Sequence, residues 1–383
     1  SELSEIQKCF YDKTIFLTGA SGFIGSLLLE NLLRSCIGIR KIYILLRPKK
    51  GKSTEERLEL IFQNEIFEKV LKKNPKVKSL VKLMNGDIAE PMCGLSDESV
   101  NIIKQEVNFI VHAAAALRMD ESLKIAYNMN VRSTLHLLQL AETIQDLKAF
   151  VYVSTAYTHA FRQEMSEEFY KPGYNYQQVK LLLDKLGDEE IAAITPKIVG
   201  PWENTYGFTK AVCEDLVSSF AGKFPLAVAR PSIVIGCNKE PLEGWINNFY
   251  GPTGVALAAS VGLMRVWYGY PDKTADLIPA DKVVSGIIAS MWHTTVTFKK
   301  SEHQTVQIYN MVSSSKAPIT CKDYMTLLEK YTFQDDIIHM SSIAEYNLRL
   351  QPRKWLYFIQ MYILQLLPAV FIDLFLEFTG DKA

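Results

Sequence analysis

Residues 13–35 read KTIFLTGASGFIGSLLLENLLRS, and the stretch Thr18-Gly19-Ala20-Ser21-Gly22-Phe23-Ile24-Gly25 in their middle decides the fold. An unbroken apolar run of strand length precedes it, and apolar positions at helical spacing follow it. A GxxGxxG turn between a strand and a helix lets backbone come close to a pyrophosphate, whose charge then meets the helix N-terminus. The string alone is a weak signal; its position in a strand-turn-helix near the chain start gives it weight. Thr18, Gly19, Ser21, Gly22, Phe23, Ile24 and Gly25 are therefore candidate dinucleotide contacts.

Working outward, strand-length and helix-length patterns alternate. RKIYILLR (40–47), LVKLMNGDI (80–88), VNFIVHAA (107–114), LKAFVYVST (147–155) and LAVARPSIVIG (226–236) read as strands. Residues 53–73 read as one long helix, and another helix runs from about Asn204 to Gly222. Such alternation calls for a parallel sheet covered on both faces. The expected class is α/β: a Rossmann-type doubly wound parallel sheet, with an inserted substrate-binding region and a C-terminal helical appendage. Insertions are expected at 156–203, polar and tyrosine-rich before a charged helix, and at 241–279, where glycines and aromatics suit irregular backbone lining a pocket. The sheet domain is expected over 1–315 and the appendage over 316–383.

Composition narrows the chemistry. With 383 residues the chain can bury a large core without staples. Its 42 basic and 42 acidic residues cancel, so no global field draws it to nucleic acid. Six cysteines without a CxxC pair fit a reducing compartment, and the histidines show no metal-ligand spacing, so no metal is expected. SELSEIQKCFYDK at the start has no basic-then-apolar run, and no secretory signal is expected.

The remaining candidates sit at strand ends, where open parallel sheets place ligands. Arg47 follows the second strand, where an NAD site presents a carboxylate to the ribose; an arginine there pairs with a 2′-phosphate and favours NADPH. Lys49, Lys50 and Lys52 read equally well as a solvated basic turn. Asp87, followed by Ile88, either accepts from the adenine amino group or caps a local turn. After the fourth strand come His112, Ala113 and Ala114: the alanines leave room for a dinucleotide, and His112 reads as a core histidine before a catalytic one. Asn130 either organises a relay water or makes one backbone bond from a helix face. Pro231, Ser232 and Ile233 end the sixth strand near the expected nicotinamide.

Tyr206 and Lys210 form a YxxxK pair on one helix face. A phenol beside a fixed ammonium is expected to have its pKa lowered and to protonate a carbonyl oxygen as hydride arrives at carbon. Thr155, with Ser154 as the second choice, would polarise that carbonyl; the plain alternative is a threonine that merely ends a strand.

Between Trp355 and Ile372 no residue is charged, and Arg349, Arg353 and Lys354 precede the run. Its length is at the edge of a spanning helix. Gln360, Gln365 and Pro368 interrupt it, so a helix or helical hairpin packed on the protein or lying in an interface is the preferred reading.

Together these motifs resemble the extended short-chain dehydrogenase/reductases, and the alcohol-forming fatty acyl-CoA reductases in particular. The resemblance covers about residues 10–300 through TGASGFIGSLLLENLL, LLRPKKGKSTEERL, NGDI, YVSTAY, WENTYGFTKAVCEDLV, ARPSIVIG, GWINNFYGPTGVALA and DLIPADKVV. It continues in LPAVFIDLFLEFTG, similar to the start of the family's C-terminal helical domain. Family members usually run longer, so a truncated or short form is expected. The resemblance implies reduction of a long-chain acyl-CoA to a primary alcohol with two NADPH, through an aldehyde, using Thr155, Tyr206 and Lys210. It further implies an intracellular enzyme with peripheral or C-terminal membrane association, at the endoplasmic reticulum or peroxisome, its site facing the cytosol. The rivals are an oxidoreductase or epimerase acting on a steroid or sugar nucleotide, and a scaffold that binds NADPH and lipid without turnover.

Overall fold

In the computed structural model, which describes residues 2–300, 305–332, 346–371 and 373, β1 (Thr14–Thr18) has every residue buried. Alternate side chains explain why. Ile15 and Leu17 enter one core, with Leu28 and Leu32 of the helix Phe23–Ser35 and Val284 and Ile287 of the helix Ala280–Lys300. Phe16 enters the other, with Ile103, Leu138 and Leu216. Both faces of the strand are dry, so its interior, Ile15-Phe16-Leu17, is a continuous apolar run rather than an alternating one.

β2 (Lys41–Leu46), β3 (Val81–Asn85), β4 (Phe109–His112), β5 (Ala149–Val153) and β6 (Leu226–Pro231) join β1 in one parallel sheet, closed at its edge by the strand Gln307–Met311. The order is edge strand, β6, β5, β4, β1, β2, β3. This is the doubly wound Rossmann arrangement: the chain winds outward from β1 to β3, then crosses back to β4 on the other side. Thr18 pairs with Leu45 on one flank and His112 on the other, so the glycine turn leaves the sheet where strand order reverses. Ligands bind at that crevice in folds of this kind.

Three readings of local structure need correction. Residues 53–73 are not one helix: Thr54–Phe62 ends, a short turn Glu65–Phe67 follows, and Glu68–Lys73 resumes. Asn64 causes the break by accepting from the backbone N–H of Ile66, a local bond that competes with the helix ladder. Residues 226–236 are not one strand either, since β6 stops at Pro231 and Ile233–Ile235 is separate. The segment 241–279 is not irregular throughout; it holds the helix Pro252–Ser260 and the strand Val266–Tyr268.

The chain divides into two compact units, residues 1–246 with 278–312, and residues 247–277 with 313–383. In the second, Val266–Tyr268 pairs in parallel with Arg349–Gln351, and Ala259, Met325 and Leu348 form a small core. Pro368 and the two glutamines do not break the apolar run into a hairpin. Among the described residues one helix, Lys354–Phe371, is long and apolar enough to cross a membrane, and none of its residues is fully buried. Pro368 is accommodated because Tyr362–Leu366 forms a π-helical turn, which alters the carbonyl pairing ahead of it. Gln365 turns inward, accepting from the backbone N–H groups of Arg265 and Val266. Ile372 and residues 374–380 of the LPAVFIDLFLEFTG stretch lie outside the described residues.

Candidate active site

The glycine turn is shaped by what glycine lacks. Gly19 has φ +81°, and a Cβ there would lie 2.7 Å from Ala114 N and 2.8 Å from the Ala113 carbonyl carbon. A Cβ on Gly25 would come within 2.0 Å of Gly19 O, so the helix Phe23–Ser35 rests directly on the turn. Gly22 caps that helix without a side-chain bond, so no side chain takes up the amides of its first turn. These are the features a dinucleotide pyrophosphate requires. Ala113 and Ala114 form the opposite wall of the turn.

Thr18 and His112 serve this wall from inside. Thr18 Oγ1 lies 2.7 Å from His112 Nδ1 and accepts from Ala114 N at 3.3 Å, while His112 Nε2 meets Thr134 Oγ1 at 3.1 Å. Burial pushes the imidazole down to about 3, so His112 is neutral, with both nitrogens engaged in the core.

Arg47 and Asp87 meet across the ends of β2 and β3, with Nη1 to Oδ2 at 2.6 Å. Asp87 Oδ1 also accepts from Ala89 N at 3.0 Å, which is the local turn bond. Arg57 was not singled out from the sequence, yet it donates to the Arg47 carbonyl and, at 3.0 Å, to Ser21 Oγ. It therefore links the glycine turn to the end of β2. A sequence signal existed: Ser53 and Glu56 form a capping box, which places residue 57 in the helix's first turns.

Tyr206 and Lys210 lie on the helix Thr205–Ser218, started by Asn204 accepting from Gly207 N at 2.8 Å. Lys210 is buried, and its Nζ donates to Val153 O at 2.8 Å, stands 4.7 Å from the Tyr152 ring centre and 6.0 Å from that of Tyr206. Burial draws the ammonium down to about 8. The expected lowering of the phenol is not found: burial instead pushes Tyr206 up to about 12. The lysine is committed to a strand carbonyl and does not offset the apolar surroundings of the ring. Tyr206 is accordingly a neutral O–H donor.

The two strand-end hydroxyls differ. Ser154 donates to Glu214 Oε1 at 2.6 Å, inside the protein. Thr155 Oγ1 accepts from Tyr157 N at 3.2 Å and makes no buried charged bond. Asn130, on the π-helical turn Tyr127–Arg132, makes more than a single backbone bond. It accepts from Ala116 N at 2.8 Å and donates to Thr209 Oγ1 at 3.0 Å, joining the loop after β4 to the Tyr206 helix. Beyond β6, Ser232 is buried, its hydroxyl without a hydrogen-bond partner among the described residues, between Pro231 and the exposed Ile233. Ile88, after Asp87, is a partly buried residue packed against the core that holds Phe16.

The sequence profile described as Male sterility protein matches residues 17–287. Fatty acyl-CoA reductase wat of Drosophila melanogaster is 35% identical over 379 residues, 99% of this chain and 72% of the fly protein. The chain belongs to the fatty acyl-CoA reductase family. Human fatty acyl-CoA reductase 1 is 33% identical over 375 residues, covering 98% of this chain and 72% of its own. The fold is shared with the reductase domain of a nonribosomal peptide synthetase from Mycobacterium tuberculosis (TM-score 0.63, 20% identity, 94% of this chain and 80% of that one). The terminal R domain of the myxalamid pathway is similar as well (TM-score 0.59, 24% identity, 89% and 73%). Membership makes the protein an oxidoreductase of the extended short-chain type with a nicotinamide dinucleotide as cofactor.

Proposed function

We propose that the protein reduces long-chain fatty acyl-CoA to fatty alcohol with NADPH, through two hydride transfers and an aldehyde. The observation that carries the reading is the buried Lys210, bonded to the end of β5 and sharing a helix face with Tyr206. A lysine is desolvated at this cost where a fixed cation is needed.

NADPH, when bound, supplies hydride to the carbonyl carbon. Gly19, Gly22 and Gly25 leave room for the pyrophosphate, with Phe23 and Ile24 offering backbone amides at the helix start. Arg47 and Arg57 take the 2′-phosphate, Asp87 the adenine side, and Ser232 the carboxamide. Thr155 and Tyr206 hold the carbonyl oxygen, and Tyr206 gives it a proton as the carbon is reduced. The hemithioacetal returns its hydroxyl proton to Tyr206 as it expels CoA thiolate and leaves the aldehyde; hydride from a second NADPH and the Tyr206 proton then give the alcohol, and solvent reprotonates Tyr206. Lys210 holds the nicotinamide ribose and stays cationic.

The exposed helix Lys354–Phe371, preceded by the exposed Arg349 and Arg353, is assigned to the cytosolic surface of an endoplasmic reticulum or peroxisomal membrane. Gas chromatography of products from NADPH and acyl-CoAs of medium to very long chain tests the reading. Alcohol is expected, and no NADPH oxidation at any length would overturn it.

A further inference from the structure

Glu214 lies one turn beyond Lys210, so Tyr206, Lys210 and Glu214 share a helix face at successive spacings of four. Its side chain has no exposure, and neither has that of Arg230, which it meets in a bidentate pair: Nε to Oε1 at 2.9 Å and Nη2 to Oε2 at 2.6 Å. Arg230 spends its other donors on the carbonyls of Ser166 at 2.9 Å and Glu168 at 2.8 Å, in the tyrosine-rich insertion. Asn310 holds the same loop, donating to Glu167 Oε1 at 2.7 Å and to Met165 O at 2.8 Å. On the far side, Glu214 Oε1 accepts the hydroxyl of Ser154 at 2.6 Å.

Desolvating two charges costs about as much as their pairing returns, so a buried ion pair is poor evidence of a stability device. A fully partnered one does fix geometry, because moving any attached segment leaves a charge unsatisfied. Here the attached segments are the end of β5, the end of β6 and the insertion. Resting on the reductase reading, we infer that Glu214 is a positioning residue: with Arg230 it clamps Ser154, so setting the strand end that presents Thr155 and tying it to the insertion loop 166–168.

Glu214 also acts on Lys210, where its charge opposes the burial that draws the ammonium down. The other groups around Lys210 are Tyr206 and Cys213 on its own helix, Tyr152 on β5 and His112 on β4. Burial holds the first three protonated and His112 unprotonated, so all four are neutral at pH 7.

The test uses the whole chain with NADPH and palmitoyl-CoA. Ser154→Ala leaves the ion pair intact and should lower kcat roughly 10- to 100-fold, with KM for NADPH unchanged and Tm lowered only modestly by the lost buried hydrogen bond. Glu214→Gln should lower kcat similarly and move the alkaline limb of kcat/KM to lower pH; Glu214→Asp should restore the limb. The double variant Ser154→Ala/Glu214→Gln should be little worse than either single one. Wild-type kcat in Ser154→Ala, or a wild-type limb in a folded Glu214→Gln, overturns the inference. Should Glu214→Gln not fold, Ser154→Ala decides alone. Wild-type protein that oxidises no NADPH overturns the reductase reading and this inference with it, whereas turnover with an unaffected Ser154→Ala overturns the inference only.

Discussion

Lys210 Nζ donates a 2.8 Å hydrogen bond to the backbone carbonyl of Val153, joining the helix that carries Tyr206 to the strand end two residues before Thr155. The bond fixes where the ammonium sits, with Nζ 6.0 Å from the centre of the Tyr206 ring. It thereby separates two roles that the YxxxK spacing alone runs together, holding charge and giving a proton.

Tyr206→Phe removes the proton donor and nothing that binds the dinucleotide. We expect kcat to fall about 10²- to 10⁴-fold with NADPH affinity retained. Single-turnover kinetics and NADPH fluorescence titration measure the two separately. Near-wild-type turnover would take Tyr206 out of the acid role.

The pH dependence follows from Lys210. Burial lowers its pKa from 10.5 to about 8, so the cation is present below that pH and lost above it. The rate at limiting acyl-CoA should therefore fall as pH rises through about 8, since kcat/KM reports the free enzyme. Tyr206, at about 12, contributes nothing to that limb. A profile flat to pH 10 would contradict the assignment.

Arg47→Ala and Arg57→Ala should each raise KM for NADPH roughly ten- to hundredfold and leave KM for NADH unchanged, because each removes a charged hydrogen bond to the phosphate. Equal losses with both cofactors would assign these arginines to the structure of the turn. Arg57 carries the sharper test, since it already touches Ser21 of the glycine turn.

Gly19→Ala places a Cβ 2.7 Å from Ala114 N at a backbone angle of +81°. Neither contact can yield, because both partners are backbone. We expect a loss of roughly 1–3 kcal/mol in stability and loss of dinucleotide binding, read by thermal melting and fluorescence titration. Wild-type behaviour on both counts would rule out the tight turn.

Much of this was legible in the residues. Thr18 to Gly25 carry their own geometry, because a glycine turn between strand and helix is a local property. Thr155, Tyr206 and Lys210 were likewise visible as a strand end and a helical spacing. Arg57 and the Ser154–Glu214–Arg230 network were not singled out, since their partners lie 36, 60 and 16 positions away along the chain. The break at Asn64 was missed because a single side-chain bond outcompeted a helical pattern.

The sequence by itself determined the sheet and its cofactor turn, because each follows from short-range periodicity and spacing, and its motifs carried the resemblance to the family. Only the tertiary structure decided which hydroxyl faces a buried carboxylate, where Lys210 spends its proton and which way the Tyr206 pKa moves. Those depend on burial and on charges brought together from distant segments, and desolvation is set by the surroundings of a group rather than by its neighbours along the chain.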